Sequence, residues 1–135
     1  MANVIFYEKP GCINNTRQKK LLQRSGHSVT THNLLYAPWT SNRLLAFFQD
    51  LPVADWFNRS APLVKEGKLD PDKVGRDEAL YHMVHNPILI RRPLMEVAGT
   101  KLVGFDAEYV DALIGLVADE DLEELTVELE SCPRQ

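Results

Sequence analysis

The chain has 135 residues, 44% apolar and 25% charged, with a formal net charge of −4. That composition fits one soluble globular domain with a real core, not a disordered chain, and its acidic balance gives no general nucleic-acid footprint. The first residues carry no basic region and only a short apolar run, so no signal peptide is read, and no stretch approaches membrane-spanning length. Two cysteines far apart, Cys12 and Cys132, point to a reducing cytoplasm.

Val4 to Tyr7 is short, apolar and β-prone, and the turn Glu8-Lys9-Pro10-Gly11 follows it. A helix is expected from Asn14 to Ser25, with Gly26 just past its end. Ser28 to Leu34 reads as a second strand. A strand, a crossover helix and a strand make a βαβ unit with a parallel pair. The middle reads as helical: Asn42 to Gln49, one or two turns over Val53 to Phe57, a polar loop from Lys65 to Asp72, and a helix from Asp77 to His85 stopped at Asn86-Pro87. Strands return at Ile88 to Ile90, Leu94 to Val97 and Lys101 to Val103, with a hairpin turn at Ala98-Gly99. A last amphipathic helix spans Asp106 to Val117, N-capped by Asp106. Between Asp119 and Glu130 stand seven acids and no base, an acidic tail over 118–135 that reads as a solvated end. The order β-α-β, helices, β-β-α is the thioredoxin-like α/β arrangement over residues 1–117, with a helical insertion at about 40–86.

The strand, turn and helix around Cys12 place a thiol at a helix N-terminus. Unpaired N–H groups and the positive end of the helix dipole favour an anion there, which makes a thiolate nucleophile. The alternative is a small buried hydrophobe. Arg92-Pro93, between two short strands, is the candidate for a proline opposite the thiol, and a cis bond is expected, against a trans proline at a strand start. Alternation along a strand sends Arg91 and Arg92 opposite ways, so only one of them reaches Cys12. Lys9, in the turn, is the nearer cation. Asn15 stands where a second cysteine of a Cys-x-x-Cys pair would fall, so the motif is monothiol.

Tyr7-x-Lys9-Pro10-x-Cys12, Asn86 to Leu94 and Leu102-Val103-Gly104-Phe105 together resemble the arsenate reductase (ArsC) family from about Asn3 to Val117. Phe6 to Cys12, Asn14-Asn15, Arg17-Gln18-Lys19, Trp56 to Arg59 and Leu89 to Pro93 look like its nitrogenase-associated branch. The resemblance implies that Cys12 is the nucleophile and that Arg92, before a cis Pro93, holds an oxyanion. It puts Arg59 near the mid-chain arginine, although a gap-free comparison puts Asn58 there. It implies no bound cofactor, with glutathione as co-substrate and a glutaredoxin-like protein to discharge the adduct.

Two departures weigh against arsenate as the substrate. The polar start of the motif is Glu8-Lys9, and Gly104 stands where the last anion-binding arginine is expected. Losing a charge-assisted donor lowers anion affinity and transition-state stabilisation. Gly104 is shared with Spx-type regulators, which act by binding RNA polymerase, so a non-catalytic module with a protein partner is the competing reading. Cys132, on the tail, is the candidate resolving thiol. Glu78, His82 and His85 share a helical face but have no supporting motif, so no metal site is assigned. Arg17, Lys19, Lys20 and Arg24 read as an exposed helix face, and Trp56 and Phe57 as core.

Overall fold

A computed structural model describes residues 1–117. The first strand, β1 (Asn3–Glu8), lies inside a four-stranded sheet of order β2-β1-β3-β4. It pairs in parallel with β2 (Ser28–Asn33) and antiparallel with β3 (Leu94–Val97). β4 (Thr100–Val103) completes the sheet against β3. β1 is apolar on both faces because both are covered. Val4 and Phe6 meet Met95, Val97 and the residues Leu21 and Leu22 of α1 (Ile13–Arg24) on one side. The same cluster takes in Val110 of the last helix, Ala107–Ile114. On the other side, Ile5 and Tyr7 join Leu94 and the insertion.

The insertion comprises α2 (Ser41–Phe48), a 3₁₀ turn at Val53–Trp56, α3 (Pro62–Lys65), α4 (Arg76–His85) and a 3₁₀ turn at Pro87–Leu89. The last helix is therefore α5. Buried Leu44, Phe47, Phe48, Trp56, Leu80 and Met83 face the sheet from the insertion, with Phe48 and Trp56 stacked at 4.5 Å. Removing these rings from water is what holds a helical layer against a strand that has no polar face.

Several local expectations change. Ile88 to Ile90 is not a strand: Pro87 has no N–H to give a ladder, Leu89 and Ile90 donate to Asn86 and Pro87 carbonyls at 3.0 Å, and one bridge joins Ile90 to Phe57. The polar loop expected from Lys65 is entered from a single-turn helix that was not expected, α3, which starts on Pro62, the proline position that suits a first helical turn. α5 stops at Ile114 because Gly115 turns to φ +82°. Asp106 does cap it, accepting from the Tyr109 amide at 3.2 Å. His27 joins the two ends of this layer: its Nδ1 accepts from the Ala2 amide at 3.0 Å, so Nε2 carries the proton and donates to the Gly115 carbonyl at 2.7 Å. The acidic tail, 118–135, with Cys132, lies outside the described residues.

The β3–β4 turn puts Ala98 at φ +51° and Gly99 at φ +79°. A pair of left-handed residues is the type I′ hairpin, which favours Asn-Gly and penalises a Cβ at the first position. Ala98→Asn is expected to raise the urea midpoint, with unchanged slope, by about 1 kcal/mol of stability; a lowered midpoint contradicts this reading of the turn.

Candidate thiol and anion site

β1 ends at Glu8, and the chain turns through Lys9, Pro10 and Gly11 before α1 begins. The turn closes with the Cys12 amide donating to the Lys9 carbonyl at 3.1 Å. Gly11 sits at φ +83° with open space where a Cβ would go, so conformation, not crowding, calls for glycine. Cys12 is the N-cap residue of α1, with extended φ −74° and ψ 115°. Its carbonyl accepts the first helical bond, from the Thr16 amide at 3.1 Å, and also the Thr16 hydroxyl at 3.2 Å. Its side chain does not cap the helix, and no acid stands in the first turn of α1. The positive helix end therefore reaches the thiol without an internal counter-charge. Cys12 is a thiol outside any disulfide and is 2% exposed.

Buried polar side chains brace this turn. Asn15 accepts from the Lys9 amide at 3.1 Å and donates to Gln18 Oε1 at 3.0 Å. Both side chains are fully buried, and Gln18 Nε2 has no partner. Glu8, whose charge would repel an anion, is bound by Lys19 Nζ at 2.6 Å. Both partners are largely covered, which keeps the pair from being screened away. Lys19 is thus not part of an exposed basic face. No carboxylate pairs with the Lys9 ammonium among the described residues.

The register of β1 with β3 pairs Tyr7 with Leu94. Pro93 and Arg92 immediately precede β3, at the end of the sheet where β1 leaves for the turn that holds Cys12. The Arg92-Pro93 bond is cis. Arg92 is 2% exposed, and its Nε and Nη2 are buried without a hydrogen-bond partner. Arg91 goes elsewhere, giving Nη1 to the Asp55 carbonyl at 3.1 Å. Gly104 donates its amide to the Pro93 carbonyl at 2.8 Å, at φ +75°, and so brings backbone rather than a cation to this place.

Arg59 stands at the surface, bound to the Ala54 carbonyl at 3.1 Å and to Asp72 at 3.3 Å. Its neighbour Asn58 is the buried one and serves structure, donating to the Ile88 carbonyl and accepting from the Ser60 amide. His82 pairs with Glu78, and His85 contacts the Tyr81 carbonyl. No group of three His, Cys, Asp or Glu converges among the described residues. The structure therefore brings Cys12, Lys9, Arg92 and Pro93 to one end of the sheet and leaves Arg59 committed elsewhere. The Asn15–Gln18 pair and the Glu8–Lys19 bridge were not foreseen. Polar residues at positions 14, 15 and 18, on the same helical stripe as Leu21 and Leu22, were the available sign.

A thiol at the mouth of a βαβ unit, with a cis-proline at the same end of the sheet, is the arrangement of a thioredoxin-like domain. Residues 7–113 match the model of the ArsC family, and the chain belongs to that family. It is 50% identical to the uncharacterized 15.7 kDa protein in the draG 3′ region of Rhodospirillum rubrum, over all of this chain and 91% of that one. It is 27% identical to the arsenate reductase of Escherichia coli K12, over 76% and 74% of the two chains. Among solved structures, an ArsC family related protein from Bacteroides fragilis superposes with a TM-score of 0.72 at 28% identity, covering 82% of this chain and 98% of that one. The arsenate reductase from Vibrio cholerae shares the fold, with a TM-score of 0.65 at 23% identity over 76% and 89%. No helix among the described residues is long and apolar enough to cross a membrane.

Asn15→Ala removes the brace of the Lys9 turn and leaves the Gln18 amide wholly unpaired. The expected loss is about 1–3 kcal/mol in denaturant unfolding. An unchanged midpoint would mean that the turn holds Cys12 without this bond.

Proposed function

We propose that the protein is a monothiol redox protein in which Cys12 attacks the sulfur of a glutathione disulfide. The Cys12 thiolate forms a new S–S bond as the old one breaks, and the electron pair leaves on glutathione thiolate. A second thiol, from glutathione or a glutaredoxin-like protein, then attacks the glutathione sulfur of the adduct and returns Cys12 as thiolate. Lys9 and Arg92 receive the carboxylates, the start of α1 stabilises the thiolate, and Pro93 shapes the groove.

The observation that carries this reading is the buried Arg92 guanidinium with unpartnered Nε and Nη2. A buried cation with orphaned donors costs several kcal/mol unless an anion arrives to use them. Glutathione suits the arrangement better than arsenate does. With Arg59 held by Asp72 and Gly104 lacking a side chain, Arg92 is the one guanidinium of the three expected positions left for a doubly charged oxyanion. Neutralised Glu8 no longer opposes a singly charged carboxylate.

The near-complete burial of Cys12 favours a second reading, a regulatory module on the same fold that binds a protein partner and performs no thiol chemistry. The nitrogenase-associated resemblance belongs with that reading.

One experiment separates the two. The full chain is incubated with glutathione disulfide and followed by intact mass and peptide mapping. The redox reading expects a single glutathione adduct on Cys12, absent in Cys12→Ser, and formed at least about tenfold more slowly in Arg92→Met. No adduct on folded protein, or an adduct confined to Cys132, rejects it.

A further inference from the structure

A second cavity lies outside the Cys12 site, at the carboxyl ends of the parallel strands β1 and β2. It holds about 340 Å³ and is lined chiefly by Tyr7, His32, Asn33, Tyr36, Pro38 and Arg43. That volume is at the small end of the range for small-molecule sites. It contains a fixed cation, Arg43, with no acid among its lining residues. Arg43 gives Nη1 to the Pro38 carbonyl at 2.8 Å and Nη2 to the Tyr7 hydroxyl at 3.2 Å, and its guanidinium lies over the Trp39 ring at 4.8 Å. Three contacts hold the group in place, yet no carboxylate pairs with it among the described residues. Two of a guanidinium's five N–H donors are used, so three remain.

The walls are aromatic. His32 stacks on Tyr7 at 5.2 Å and 27°, and Tyr7 meets Trp39 at 5.0 Å. Tyr36 stands at the rim, 84% exposed. The Tyr7 hydroxyl accepts from Arg43, which leaves its own proton to donate. A planar guanidinium fork matches a carboxylate in two N–H···O bonds, and flat rings at 4.5–7 Å stack with another flat group.

From this geometry we infer a binding site for a small aromatic carboxylate. The carboxylate takes the Arg43 fork and the Tyr7 hydroxyl proton, and the ring lies against His32 and Tyr36. Nothing in this site depends on Cys12 chemistry.

The test is an amide chemical-shift titration of the full chain with benzoate, with benzyl alcohol and inorganic phosphate as separate arms. Benzoate is expected to shift the amides of Tyr7, His32 and Arg43 saturably at about millimolar concentration, leaving Gly11 to Asn14 in place, while the other two probes do not saturate. Arg43→Gln is expected to weaken benzoate at least about tenfold. His32→Ala, which changes only an exposed wall residue, weakens it less and guards against a misfolded Arg43 variant. Equal saturation by phosphate would reduce the site to a general anion contact and overturn the aromatic part of the proposal. Absence of saturable shifts, or binding indifferent to both substitutions, would overturn all of it.

Discussion

β1 has no solvent face. Val4 and Phe6 are covered by α1 and α5, and Ile5 and Tyr7 by the insertion. A strand in that position must be apolar throughout, must pair on both edges, and must release its chain at a fixed point where the layers end. The release point is Glu8, and the turn that follows makes Cys12 the N-cap residue of α1. The crossover through α1 to β2 and the antiparallel return of β3 then put Pro93 and Arg92 at the same end of the sheet as that turn. The position of the thiol thus follows from how the core is layered.

The charges around the turn are arranged unequally. Glu8 is bound by Lys19, while among the described residues no carboxylate pairs with the cations Lys9 and Arg92. A buried guanidinium with two unpartnered nitrogens is an expensive group for a small domain to retain. Together with the positive end of α1, it leaves a net field that favours an anion, whether a thiolate or a ligand. Burial of Cys12 opposes this, because removing a thiolate from water favours the neutral thiol. Which term is larger decides whether the site does chemistry or only keeps the shape of one that does.

Much of this was legible in the amino-acid sequence because it depends on short-range rules. The apolar run before a Pro-Gly turn, Asp106 before an amphipathic stretch, and Ala98-Gly99 between two short strands each announce their structure locally. Ile88 to Ile90 misled because a short apolar run looks the same whether it joins a sheet or packs as a turn, and Pro87 decided it. Lys19 misled because its partner is a residue across the β1–α1 turn, at a distance no helical periodicity reports. Arg59 was placed by resemblance alone, and its pairing with Asp72 is a tertiary fact.

The most direct test is the pH dependence of the Cys12 alkylation rate in the folded chain, with Cys132→Ser to remove the second thiol and Arg92→Met to remove the buried cation. If the anion-favouring field outweighs burial, Cys12 titrates below the ordinary thiol range of about 8.5, and Arg92→Met moves it upward. A thiol that titrates at or above that range and ignores Arg92 would contradict the assignment of this turn as a thiolate site.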